Sequence, residues 1–126
     1  MTLPSDLLLV EDDVLLARAL QRSLVAKGIA LRHVARCATA TALDGHFLVG
    51  VFDIDLPDGD GVELARSMMR RGVVSRVIFY TACSHPARLA RAKDIGTVFF
   101  KARQYTSLMD VLAPRQGHAA LAPSLH

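Results

Sequence analysis

Phe47-Leu-Val-Gly-Val-Phe-Asp-Ile-Asp55 decides the fold. Six uncharged residues run into two carboxylates. A run this short and this apolar reads as a buried β-strand, Phe47 to Phe52, with acids just past its carboxyl end. The same design opens the chain, where Asp6-Leu-Leu-Leu-Val10 leads into Glu11-Asp-Asp13. It recurs with other endings at Val77-Ile-Phe-Tyr80, followed by Thr81, and at Thr97-Val-Phe-Phe100, followed by Lys101. Ile29 to Val34 alternates apolar and polar residues, as a half-buried strand does. Helical segments separate these strands. Leu16, Leu20 and Leu24 recur at helical spacing between Asp13 and Lys27, with Gly28 as C-cap. Ala38 to Asp44 reads as a short helix ended by Gly45. Asp60-Gly-Val-Glu63 has capping-box spacing and opens a helix to Arg71, before Gly72. Pro86 to Asp94 and Tyr105 to Leu112 are the last two, the second stopped by Pro114.

Strands apolar throughout, separated by helices of crossover length, specify an α/β fold: a doubly wound parallel sheet of five strands with helices on both faces. Ligands of such folds sit at the carboxyl ends of the strands, at a topological switch point. The chain has 126 residues, enough for one domain that buries a core without disulfide or metal. It is 52% hydrophobic and 21% charged, which excludes a disordered or low-complexity chain. No apolar run reaches membrane-span length and the start does not resemble a signal peptide. Cys37 and Cys83 match no metal spacing or disulfide framework and read as buried or half-buried thiols. Together these features predict a cytoplasmic domain without membrane contact.

The net charge of +3 conceals a segregation. Glu11, Asp12, Asp13, Asp53, Asp55, Asp58, Asp60 and Glu63 are eight of the twelve acids, and no Lys or Arg interrupts the two windows that hold them. The protein is a basic body with one acidic spot. At the strand ends the topology gathers Glu11, Asp12, Asp53, Asp55, Thr81 and Lys101 on one rim. Singly, an Asp after a strand is most often a turn former or cap and a Lys is solvated. Jointly, converging carboxylates repel unless positive charge sits among them. Lys101 supplies one such charge and a hard divalent cation, Mg2+, suits the rest. A carboxylate beside such a cation can be a nucleophile toward phosphorus. Phosphoryl transfer then asks mainly for positioning and charge stabilisation, which Thr81 and Lys101 offer.

These motifs resemble the receiver domain of two-component response regulators, of the single-domain chemotaxis-regulator kind. Leu8-Leu-Val-Glu-Asp-Asp13 resembles the first-strand acidic motif and Asp53-Ile-Asp-Leu-Pro57 the phosphoacceptor motif. Ile78-Phe-Tyr-Thr-Ala82 resembles the fourth-strand switch motif and Phe99-Phe-Lys101 the fifth-strand end. The resemblance covers about residues 6–113 and implies a flavodoxin-like strand order 2-1-3-4-5. It divides the chain into a receiver domain, 1–113, and a tail or truncated linker, 114–126. It implies Asp53 as phosphoacceptor and Thr81 and Lys101 as phosphate-binding groups. Mg2+ would be held by Glu11, Asp12, Asp53 and the backbone carbonyl of Asp55. A histidine kinase or histidine phosphotransfer protein would be the donor, docking on the first helix at Leu15, Leu16 and Ala19. The chain would catalyse its own phosphorylation and dephosphorylation rather than turn over an external substrate.

Three departures from the family pattern involve four positions. Ala102 follows Lys101 where Pro with a cis bond is usual. Val98 occupies the switch position where Tyr or Phe is common, so no aromatic ring can swing there, and Phe99 is expected in the core. Asp55 and Cys83 stand two residues beyond the acceptor and the threonine. Arg88, Arg91 and Arg103 form the expected partner face, toward an output protein or a fused effector missing from this chain. Direct nucleic acid binding is not expected, since about a dozen residues follow the last helix, too few for a helix-turn-helix domain. One alternative is an aspartyl-phosphate phosphatase of the haloacid-dehalogenase type, whose Asp-x-Asp motif Asp53-Ile-Asp55 also resembles. The other is a docking module independent of phosphorylation.

Overall fold

The computed structural model describes residues 6–114. The expectation of a tail over 114–126 therefore lies outside the described residues, apart from Pro114. Five strands, β1 (Leu7–Val10), β2 (Leu31–Val34), β3 (Phe47–Phe52), β4 (Val74–Thr81) and β5 (Thr97–Phe100), alternate with five helices. These are α1 (Val14–Val25), α2 (Cys37–Thr41), α3 (Gly61–Arg70), α4 (Pro86–Lys93) and α5 (Tyr105–Leu112). The sheet is parallel throughout, in the order β2-β1-β3-β4-β5. That is the 2-1-3-4-5 order expected.

The inner strands β1, β3 and β4 are buried on both faces over most of their length, which is why their sequences hardly alternate, whereas the edge strand β2 exposes Arg32. Leu7 and Leu9 of β1, Val51 of β3, Ile78 and Tyr80 of β4 and Phe99 of β5 pack with Ala17, Leu20 and Leu24 of α1 and Leu108 and Met109 of α5. Leu8, Val10, Phe52, Val77 and Phe79 point the other way, onto Ala40 of α2, Val62, Ala65 and Met68 of α3 and Ala92 of α4. The helix after β1 thus covers one face and the helix after β3 the other. The order in which strands are added reverses between these two parallel strands, and their carboxyl ends open a crevice there.

Element boundaries moved where packing overrides local pattern. β4 begins at Val74 rather than Val77 because Phe47 and Val49 of β3 offer partners at Val74 and Arg76. Asp60 caps α3 by accepting the N–H of Val62, but Glu63 faces Arg66 and Arg91, so only half of the capping box forms. Residues Asp55–Leu56 and Gly59–Asp60 form a small antiparallel hairpin between β3 and α3. Its Asp58 reaches over to accept the N–H groups of Cys37 and Ala38, giving α2 the cap that Arg36 cannot provide. Burial of Cys37, reinforced by the negative charge of Asp58, pushes its thiol up to about 11. Cys37 is half-buried and Cys83 buried, both as free thiols.

Two glycines hold the α3 register. Gly61 donates its N–H to Ile54 O at 2.8 Å. A Cβ there would sit 1.8 Å from the carbonyl oxygen of Asp53. Gly72 ends α3 at φ +76 with open space around it, and Val73 N–H returns to Met68 O, closing a Schellman turn. Gly61→Ala is therefore expected to cost about 3 kcal/mol or more through backbone collision, and Gly72→Ala about 1 kcal/mol through left-handed strain alone. Urea unfolding of the two variants measures the difference; equal losses would show that α3 does not press against the end of β3.

Candidate functional site

Three backbone hydrogen bonds extend the sheet one rung past its strands. Glu11 N–H bonds Val34 O, Asp53 N–H bonds Val10 O and Lys101 N–H bonds Thr81 O, each at 3.0 Å. The residue that follows each strand is thus held as firmly as the strand. Val10 lies opposite Phe52 and Thr81 opposite Phe100, so Glu11 adjoins Asp53 and Thr81 adjoins Lys101.

The side chains converge on Asp53, which is 6% exposed. Its Oδ1 accepts the Thr81 hydroxyl at 2.8 Å and the Asp55 N–H at 3.3 Å. Its Oδ2 accepts Lys101 Nζ at 2.8 Å. Thr81 is fully buried, and its Oγ1 also accepts the N–H of Cys83 at 3.1 Å, which fixes the hydroxyl proton toward Asp53. Lys101 Nζ also bonds Glu11 Oε1 at 2.8 Å, and Glu11 Oε2 accepts the N–H of Asp13. His33 Nε2 lies 2.7 Å from the backbone oxygen of Glu11. One ammonium therefore bridges two buried carboxylates, and every oxygen of both has a partner.

Burial pushes the Glu11 carboxyl above its ordinary range, and the charge of Asp53 adds to this against the bonds from Lys101 and Asp13. Burial alone would lower the Lys101 pKa, but its bonds to Asp53 and Glu11 outweigh it and hold the ammonium above its usual value. Carboxylate oxygens of Glu11, Asp12 and Asp53 lie within 4.8 Å of one another, with Asp12 exposed. Three acids against one ammonium leave excess negative charge. An all-oxygen donor set with an exposed member suits a hard divalent cation that retains some of its water.

The rim thus unites Glu11, Asp12, Asp53, Thr81 and Lys101. No cis peptide occurs among the described residues, so the Lys101–Ala102 bond is trans, and Lys101 still reaches both carboxylates. Val98 is half-buried and packs on the α4 side, while Phe99 is buried on the α1 and α5 side. The arginines of the expected partner face, Arg88, Arg91 and Arg103, are not all free cations. Arg88 is ion-paired with Asp55 and donates to Ile54 O at 3.3 Å. Arg91 holds Asp60 at 2.8 Å and approaches Glu63 at 3.6 Å. Both are paired with nearby acids, Arg91 while still exposed, and Arg103 lies 4.9 Å over the Phe100 ring. Sequence reasoning missed this Arg88–Asp55 pair, although the segregated charge was its signal. Asp110, the one acid beyond Lys101, is exposed on α5, and the acids beside Asp53 come from the end of β1. A haloacid-dehalogenase arrangement needs the reverse.

The folded pKa of Glu11 lies above its unfolded value of 4.5, so its ionisation lowers stability as pH rises through that window. Removing Lys101 would lift the Glu11 pKa further. Lys101→Met is expected to cost about 2–3 kcal/mol at pH 7, with the loss shrinking as pH falls toward 4.5. Urea unfolding of wild type and variant across this range checks it; a loss independent of pH would contradict the bridge.

Comparison with known proteins agrees with this geometry. The response regulator receiver domain family model matches residues 7–111. The swarming motility regulation protein RssB of Serratia marcescens is 33% identical over 102 residues, 79% of this chain and 47% of that protein. The chain thus spans about half the length of that relative. Among solved structures, the response regulator TrrA of Thermotoga maritima in complex with Mg2+ and BeF superposes with TM-score 0.74 at 19% identity, covering 86% of this chain and 96% of that one. The receiver domain of a Francisella response regulator gives 0.73 at 19% identity, covering 89% and 98%. With the sheet order, the strand-end acids and the family match in agreement, the chain belongs to the response regulator receiver domain family.

Proposed function

We propose that this receiver domain takes a phosphoryl group onto Asp53 and changes its partner binding in response. The observation that carries the reading is a buried carboxylate with the Thr81 hydroxyl on one oxygen and the Lys101 ammonium on the other, each at 2.8 Å. The phosphodonor is a phosphohistidine of a histidine kinase or histidine phosphotransfer protein. A carboxylate oxygen of Asp53 attacks phosphorus, the new P–O bond forms, and the P–N bond breaks with its electron pair leaving on imidazole. No general base is required, because a carboxylate nucleophile has no proton to lose on attack. Glu11, Asp12, Asp53 and the Asp55 backbone carbonyl would hold Mg2+, which when bound supplies positive charge beside the transferred oxygens.

The remaining work belongs to the chain. Lys101 and Thr81 turn their hydrogen bonds from the Asp53 carboxylate to the phosphoryl oxygens. Moving the Thr81 hydroxyl pulls on the Cys83 N–H, and through Cys83 on the segment leading into α4. That biases a two-state arrangement of α4 and the end of β5. Val98 takes part through packing rather than through rotation of a ring. Leu15, which is 78% exposed on α1, supports a docking surface for the donor there, with Leu16 and Ala19 beside it. Among the described residues no helix is long and apolar enough to cross a membrane, and we assign the reaction to the cytoplasm.

Incubating the chain with Mg2+ and acetyl phosphate should give one acid-stable, base-labile phosphoryl adduct by intact mass. Asp53→Asn should give none. Thr81→Ala should form the adduct about tenfold more slowly or worse, the scale of one net hydrogen bond. An adduct that survives Asp53→Asn would place the acceptor elsewhere.

A further inference from the structure

Asp55 is an awkward residue for an anion-binding site. It lies two positions beyond Asp53, within about 7 Å along the chain, and its N–H bonds the acceptor carboxylate. Its side chain is 52% exposed beside the rim. Left alone it would add negative charge where an anionic phosphodonor must arrive. Arg88 meets this charge from α4. One guanidinium nitrogen pairs with Asp55 Oδ1, and Nη2 donates to the backbone oxygen of Ile54 at 3.3 Å. The planar fork therefore holds both the carboxylate and the peptide that precedes it. His85 caps the same helix end by accepting the Arg88 N–H, and Arg91 secures the next turn on Asp60.

We propose that Arg88 is a positioning residue of the phosphorylation site: it masks the Asp55 charge, so that an anionic phosphodonor can approach Asp53. The proposal rests on Asp53 being the phosphoacceptor. It makes opposite demands on anions and cations. Unmasking Asp55 repels the phosphodonor but adds a carboxylate near the acids that would hold a divalent cation. A purely structural role would weaken both kinds of binding together.

The test uses the full chain with acetyl phosphate as phosphodonor and Mg2+ titrated separately by calorimetry. Arg88→Ala should slow adduct formation about fivefold, the scale of one unit charge close to a solvent-accessible site, and should leave Mg2+ affinity equal or higher. Asp55→Asn should react at least as fast as wild type. Combining it with Arg88→Ala should restore the rate, because no charge remains to be masked. Arg70→Ala, which removes the same charge at the far end of α3, should behave as wild type. A slow double variant, a slow Asp55→Asn, an Arg88→Ala rate equal to wild type, or an equal slowing by Arg70→Ala would each overturn the proposal. Absence of any adduct on wild type would overturn the phosphoacceptor reading and this proposal with it. An adduct on wild type with Arg88→Ala unchanged would overturn the proposal alone.

Discussion

One ammonium held between two buried carboxylates is the interaction on which the rest of this molecule turns. Glu11 is 1% exposed and Asp53 6% exposed. Two such charges side by side would be unfavourable without a counter-charge between them. Lys101 satisfies both at 2.8 Å, and Thr81 and two backbone N–H groups occupy the other oxygens. The site is therefore pre-organised but electrostatically short of positive charge. That combination suits phosphoryl transfer, in which the protein supplies position and charge more than covalent chemistry.

The scaffold exists in a form that keeps this bridge in place. Side chains from β1, β3, β4 and β5 can meet only because all four strands run the same way and end at one level. The hydrogen bonds of Glu11, Asp53 and Lys101 to neighbouring strand carbonyls carry sheet order into the site itself. Gly61 lets α3 begin against the Asp53 carbonyl, so Asp53 is braced from the helix side as well. The Thr81 hydroxyl and Cys83 N–H form one hydrogen-bonded route from Asp53 toward α4, and Asp55 with Arg88 forms a second.

Much of this was legible in the sequence, for a physical reason. Strands buried on both faces must be apolar along their length, so β1, β3 and the inner part of β4 announced themselves, and Phe47–Phe52 matched residue for residue. The strand-end residues followed from topology and from the charge segregation. What remained hidden depends on distance in sequence. The bridging of Glu11 by Lys101 and the capping of α2 by Asp58 join residues that no local pattern links. Arg88 and Arg91 looked like a solvent-facing basic surface because the acids they pair with lie on another element. The capping box at Asp60 formed by half because Glu63 found arginines instead.

Arg88 and Arg91 tie the acidic hairpin to α4 beside Asp53. Titrating the isotope-labelled chain with Mg2+ and then with beryllofluoride, a phosphoryl mimic, tests most directly whether Asp53 and its neighbours act as one site. The account predicts that amide resonances shift first at Glu11, Asp12, Asp53 and Asp55, then at Thr81, Cys83, Lys101 and along α4. Shifts absent from these positions, or centred on another part of the surface, would contradict it.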